Sequence, residues 1–256
     1  MIHKTAVIDP RAELGEGVAV GPYSVIGPEV RIGAHSRIDT HVIIKGPTEI
    51  GDRSTIFPFA SIGDMPQDLK YKGGKTKLVI GSGNIIREYV TINRGTEEGG
   101  GVTSIGNHNY FMAYTHVAHD CTIKSNVIMA NGATLAGHIE IEDGAIIGGL
   151  VGVHQFVKIG CSSFIGACSA VSQDVPPYCL VVGNRARLHG LNMTGLRRSN
   201  LSSDAVNNLK RAYRILFRSG ATLKEAIPQV EETIKDSPEV RHLLEFIKQS
   251  KRGIHR

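Results

Sequence analysis

IDPRAE LGEGVA VGPYSV IGPEVR IGAHSR IDTHVI IKGPTE, residues 8–49, falls into sixes that each open on Ile, Leu or Val. Outward, the register reaches Ile2 on one side and Ile50, Ile56 and Ile62 on the other, eleven hits without a slip. It resumes at Ile80, Ile86 and Ile92. It then runs from Ile105 through Phe111, Val117, Ile123, Met129, Leu135, Ile141, Ile147, Val153, Ile159 and Ile165 to Val171. A period of six fits neither a 3.6-residue helix nor a long alternating strand. It fits a prism of short strands, one hexad per side and three per coil, with the aliphatic residue pointing inward. The residue four after each hit is small or branched, as in Ala6, Val18, Ser24, Val30, Ser36 and Ala60. Glycine follows several hits (Gly15, Gly21, Gly27, Gly33, Gly51, Gly63) and reads as the corner residue, where backbone angles other residues avoid are needed. The fold class is therefore mainly β, a parallel β-helix.

Two stretches break the register. GDMPQDLKYKGGKTK (63–77) has the length of nearly three hexads but puts Asp68 and Gly74 at inward positions, so it reads as a loop on the scaffold, where function is commonly carried. RGTEEGGGVTS (94–104) lengthens the spacing to 13 residues and reads as a flexible surface loop. Pro176-Pro177 is expected to end the coils. Beyond about residue 190 the pattern turns helical. Ser202 or Ser203 caps a helix stopped by Gly220, Thr222 with Glu225 opens a second helix, and Ser237-Pro238 opens a third. Two domains are expected: a β-helix over 1–190 and a small α-helical domain over 191–256.

A chain of 256 residues is long enough for a sizeable core, and thirty glycines with no tryptophan suit thin-walled coils. The formal charge of +5 favours acidic partners only mildly and gives no case for nucleic acid. Eight basic residues and one acidic residue, Asp204, fall between 185 and 218; Lys210, Arg214 and Arg218 share a helix face, with Arg211 beside them. That is either a docking patch or a solvated face. The four cysteines form no C-x-x-C pair, so no structural zinc is expected. MIHKTAVIDP lacks a signal-peptide core, and the longest apolar run, 145–153, is far short of the roughly 20 residues that span a bilayer. A cytoplasmic protein without a transmembrane segment is the expectation.

FMAYTHVAHDC (111–121) carries His116, His119 and Asp120. With 18 residues per coil, His119 stacks on Gly137 and Gly137 on Gln155, while His138 and His154 lie one residue to either side of that column. The spacing thus predicts His119, His138 and His154 along one edge, spread over about 10 Å. A lone histidine is usually structural. Three on an edge beside a carboxylate point to proton transfer near neutral pH.

QDLKY (67–71), REYVTINRGT (87–96), HVAHDC (116–121), ATLAGH (133–138), AIIGG (145–149), VHQF (153–156), SQDVPPY (172–178) and GNRARLHGLNMTGLRR (183–198) together resemble the UDP-N-acetylglucosamine O-acyltransferases, hexapeptide-repeat enzymes of lipid A synthesis. The resemblance covers nearly the whole chain. It implies a left-handed helix, a hand that periodicity does not show and that departs from the rule for parallel crossovers. It also implies a homotrimer with sites between subunits, acyl carrier protein as acyl donor, UDP-N-acetylglucosamine as acceptor, and no cofactor or metal.

By the same resemblance His119 is the general base, Asp120 its partner, and the Gly137 N–H the donor to the oxyanion. Gln67, Asp68, Lys70, His116, His138, His154 and Gln155 bind substrate, Asn192 and Arg198 reach the nucleotide from a neighbouring subunit, and the acyl tail ends near Phe164 and Ala167. Two positions depart from the family pattern: Thr194 stands where an acidic residue is expected and Ser199 where a second basic one is common. Both bear on which donor sugar, including a 3-amino sugar, is accepted. Three rival readings are a zinc hydratase ligated by His116, His119 and His138, a related N-acyltransferase, and a purely structural solenoid.

Overall fold

Val7 lies beside Val25, Val25 beside Ile43 and Ile43 beside Ser61, so residues 18 apart are neighbours on successive coils. This structure, a computed structural model, describes residues 1–255. Three parallel sheets form the walls of a left-handed β-helix. Face one runs from Val7–Ile8 to Ala170–Val171 in nine strands, and face two from Glu13–Leu14 to Lys158–Ile159 in eight. Face three runs from Ala19–Val20 to Phe164–Ile165 and is extended by Cys179–Val182 and the antiparallel Arg187–Leu191, ten strands in all. From Val20 onward the inward row is buried throughout. Ile2, in the first coil, is 52% exposed.

The small residues four after each hit also serve the backbone. Ser24 Oγ accepts the Val42 N–H at 3.0 Å and Ser36 Oγ the Ser54 N–H at 3.1 Å. Asn84 Oδ1 accepts the Asn109 N–H at 2.9 Å, and Asn109 Oδ1 the Val127 N–H at 2.8 Å. Amides inside a dry wall are thereby paired.

The corners differ from expectation. The left-handed residue stands three after the inward one and is mostly not glycine: Tyr23, His41, Phe59, Asp120, His138 and Phe156 have φ of 55–65°. The glycine directly after the hit is needed for close approach of coils instead; a Cβ on Gly21 would lie 2.7 Å from the Asp39 carbonyl carbon. Stacking offsets the left-handed penalty of about 1–2 kcal/mol per residue. Between faces three and one, Tyr23, His41, Phe59, Tyr89 and Tyr114 form a ladder with ring centroids 4.8–5.2 Å apart.

Pro176-Pro177 does not end the coils. Cys179–Val182 continues face three in parallel register with Phe164–Ile165, and the prolines sit in the corner before it, where no ladder donor is required. The 94–104 segment is likewise not a free loop: Val102–Ile105 is a strand of face two, and Thr96 is buried.

Four helices follow: α1 (Met193–Arg198), α2 (Ser203–Arg218), α3 (Leu223–Thr233) and α4 (Pro238–Gln249). Ser202 caps α2 through the Ala205 N–H, Glu225 accepts the Thr222 N–H at the start of α3, and Ser237 caps α4. The short α1 was not legible, since six residues carry no period; Asn192 caps it by accepting the Gly195 N–H. Buried apolar residues form two clusters, one inside the coils and one among the helices that also takes in Tyr178, Cys179 and Leu191.

Candidate active site

His119 and Asp120 sit where face one turns toward face two. Asp120 is the left-handed corner residue, and this turns its carboxylate back into the wall. Its side chain is only 1% exposed. Oδ1 accepts the Thr96 N–H at 2.9 Å and Oδ2 accepts the Thr96 hydroxyl at 2.6 Å. The Asp120 N–H in turn donates to Thr103 Oγ1 at 2.8 Å. Gly99 packs against the carboxylate so closely that a Cβ there would overlap it. His119 Nδ1 lies 2.8 Å from Asp120 Oδ2. A carboxylate only accepts, so Nδ1 carries the proton and Nε2 keeps its lone pair.

His119 lines a groove of about 630 Å³ on face one, together with Gln67, His116, Gly137, His154 and Gln155. His116 stands on the strand that leads into His119, its Nδ1 2.7 Å from Thr91 Oγ1 on the strand below. Burial, and then the neighbouring His119, hold its pKa below the ordinary value, which keeps the ring neutral. Gly137 is one coil above His119, and a Cβ there would fall 2.5 Å from His119 Cε1. The Gly137 N–H has no acceptor among the described residues. A histidine with a free lone pair and an unpaired amide donor therefore share one groove.

The histidines share the expected edge. The His119 and His138 rings meet edge-on with centroids 5.1 Å apart, and His154 lines the groove with His119. His138 is the left-handed corner residue; it also lines an adjoining cavity of about 530 Å³ with Asp120, Thr122 and Phe156, stacked on Phe156 at 4.5 Å. Asp120 lies between the two rings, with His138 Nε2 at 3.8 Å from Oδ2. His119, Asp120 and His138 do bring ligand atoms close enough to share a cation, whereas His116 is outside that cluster.

The 63–77 loop delivers only Gln67 to the groove. Asp68 accepts the Lys70 N–H at 2.9 Å within the loop, and Lys70 and Leu69 are exposed. Arg94 anchors this loop through the Gly63 carbonyl at 3.0 Å and the Tyr71 hydroxyl at 3.3 Å. Asn192, Arg198, Thr194, Ser199 and Phe164 are on face three instead, around a cavity of about 970 Å³. The Asn192 amide is engaged on both sides, donating to the Ser162 carbonyl at 2.9 Å and accepting the Gly195 N–H at 3.0 Å. Ala167 is exposed at the corner between faces three and one. Thr96 and Arg94 are the supporting residues that sequence reasoning left without a role, although both fall inside REYVTINRGT (87–96).

The chain is 55% identical to an acyl-[acyl-carrier-protein]--UDP-N-acetylglucosamine O-acyltransferase of Thermodesulfovibrio yellowstonii over 255 residues, 100% of this chain and 99% of the relative. It is 51% identical to the enzyme of the same name from Alkalilimnicola ehrlichii, again over 100% and 99%. The chain belongs to this family. Within it, the solved structure of LpxA from Acinetobacter baumannii superposes with a TM-score of 0.96 at 45% identity, covering 100% of this chain and 99% of that one. Residues 174–255 match the family described as "Udp N-acetylglucosamine O-acyltransferase; Domain 2", and residues 103–137 the bacterial transferase hexapeptide repeats. Among the described residues no helix is long and apolar enough to cross a membrane.

Proposed function

We propose that the chain transfers an (R)-3-hydroxyacyl group from acyl carrier protein to the 3-hydroxyl of UDP-N-acetylglucosamine, the first step of lipid A biosynthesis, in the cytoplasm and without a cofactor. The observation that carries the chemistry is the 2.8 Å pair of His119 Nδ1 and Asp120 Oδ2, which leaves Nε2 facing the groove. Nε2 takes the proton of the sugar hydroxyl as its oxygen attacks the thioester carbonyl, a role typically worth about 10²–10⁴ in rate. Negative charge builds on the carbonyl oxygen, and the Gly137 N–H is the donor placed to meet it. The carbon–sulfur bond then breaks, and the imidazolium returns its proton to the departing thiolate. Asp120 holds the ring and balances its transient charge. Gln67, Asp68, Lys70, His116, His138, His154 and Gln155 position the substrates.

The working unit in this reading is a homotrimer. No described residue lines both the face-one groove and the face-three cavity, so Asn192, Arg198 and Phe164 reach the groove only from a second copy. The exposed aromatic ladder between the two faces and the exposed Leu69 are apolar surfaces that such packing would cover. Arg211, Arg214 and Arg218 stand exposed along α2 as the docking face for an acidic carrier protein. In this reading 1–190 supplies the coil wall and 191–256 the docking domain, the boundary falling at the last residue of the strand Arg187–Leu191.

The test is acyl transfer from a panel of 3-hydroxyacyl carrier proteins to UDP-N-acetylglucosamine and to its 3-amino analogue, with His119→Ala alongside. Product on the hydroxyl sugar from wild type, and almost none from a folded trimeric variant, is expected. Equal turnover by both would remove His119 as base; turnover of the amino analogue alone would reassign the acceptor and implicate Thr194.

A further inference from the structure

Face two meets α4, and three side chains of different chemistry converge there. His242 Nε2 lies 2.7 Å from Glu142 Oε2. The same oxygen accepts the Cys161 backbone N–H at 2.7 Å, which brings the thiol to the carboxylate. One ligand atom from each of Glu142, Cys161 and His242 lies within 4.8 Å of the other two. The thiol is also in contact with the buried Tyr178 hydroxyl, which closes one flank. Beside the cluster, a small cavity of about 180 Å³ lined by Glu140, Glu142, Lys158, His242 and Glu245 admits solvent.

We infer that Glu142, Cys161 and His242 form a zinc site that ties the coil wall to the helical domain. The donor set is a thiolate, an imidazole and a carboxylate, the three ligand types zinc prefers. Around a tetrahedral zinc, with Zn–N and Zn–O of about 2.0–2.1 Å and Zn–S of about 2.3 Å, ligand atoms stand roughly 3.3–3.6 Å apart. The imidazole and carboxylate must therefore separate by well under 1 Å from their present hydrogen bond, which side-chain rotation alone supplies, since both groups are partly exposed. Binding replaces the proton that His242 now donates to Glu142 and the thiol proton of Cys161; both leave to solvent. With three protein ligands the fourth position falls to water from the adjoining cavity. None of the three ligands lines the acyl-transfer groove, though Glu142 also borders the cavity beside Asp120 and His138, and the site departs from the expectation of no zinc that the missing C-x-x-C motif suggested. Its ligands are 19 and 100 residues apart in the chain, a spacing no local motif reports.

Cobalt(II) is the probe, because thiolate ligation gives it a charge-transfer absorption in the near ultraviolet. Chelator-treated full-length protein titrated with cobalt should gain that absorption, saturating at one ion per chain, and zinc should bleach it. Cys161→Ser should abolish the band. His242→Gln should weaken binding by at least about 10–100-fold, since outer-shell partners alone are worth that much. Cys168→Ser, the exposed thiol elsewhere, and His119→Ala should leave both band and affinity unchanged. Circular dichroism checks that each variant is folded, and zinc should raise the melting temperature of wild type but not of Cys161→Ser. No band in wild type at excess cobalt, or a band that survives Cys161→Ser, overturns the assignment. Binding lost in His119→Ala but kept in His242→Gln would move the metal to the His119–Asp120–His138 cluster and overturn it equally.

Discussion

Thr96 and Asp120 are bound to each other twice: the Thr96 N–H meets Oδ1 at 2.9 Å and its hydroxyl meets Oδ2 at 2.6 Å. The buried carboxylate is thus fixed by a residue from the 94–104 segment, and it fixes His119 in turn. Asp120→Asn should keep the fold but remove the acceptor that selects the Nδ1–H tautomer. We expect kcat to fall by roughly 10² or more with KM little changed, the scale of general-base loss. Thr96→Val removes one hydrogen bond to a charged group, worth about 1.5–3 kcal/mol, and should lower kcat by roughly tenfold. Steady-state kinetics on both variants checks the order; a larger loss in Thr96→Val than in Asp120→Asn would contradict it.

Gly137→Ala should be inactive or nearly so. The new methyl meets His119 Cε1 at 2.5 Å and crowds the amide proposed to face the oxyanion. Displacing one oxyanion donor costs about 10²–10³ in kcat in other enzymes. Single-turnover rates should drop while binding of UDP-N-acetylglucosamine, followed by calorimetry, stays within a few-fold of wild type. Near-normal turnover would exclude Gly137 as the donor.

Ala167→Met should shift acceptance toward shorter acyl chains. Ala167 is exposed at the corner between the groove-bearing face and the face carrying Phe164, where the proposed trimer would run the tail. Methionine adds three heavy atoms beyond Cβ there, and each methylene it displaces forfeits about 0.8 kcal/mol of burial. Competition among carrier proteins of graded chain length reads this directly; an unaltered profile would place the tail elsewhere.

His242 gives the metal-free protein a pH signature. Its contact with Cys161, and then its bond to Glu142, raise its pKa to about 10 against an opposing cost of burial. A histidine raised above its unfolded value of about 6.5 stabilises fully below that pH and loses the contribution as pH climbs toward the folded value. In chelator, the melting-temperature advantage of wild type over His242→Gln should therefore be greatest near about pH 6 and shrink as the folded pKa is approached. An advantage that grows with pH would mean the ring is neutral in the folded state. His116 runs the other way. Burial lowers its pKa, so its cost appears as pH falls below about 6.5, and His116→Asn should relieve acid sensitivity there.

The hexad register determined most of the coils, because each short strand buries one residue per six and the pattern recurs from Ile2 to Val171 with breaks only at 63–77 and 94–104. It also placed His119 on Gly137, since stacking follows from 18 residues per coil. The helix starts at Ser202, Thr222 and Ser237 were legible as caps, which are local chemistry. What the sequence did not determine lies at the corners and across the folded molecule. The left-handed turns at Asp120 and His138 bring both side chains onto His119, its Nδ1 2.8 Å from the carboxylate and its ring 5.1 Å from that of His138, and a period of six carries no information about which way a corner side chain leaves. Thr96 reaches Asp120 from 24 residues away, and Glu142 meets His242 across 100. Such contacts arise only when separately written pieces of wall, loop and helix pack together, so only the tertiary structure decided them.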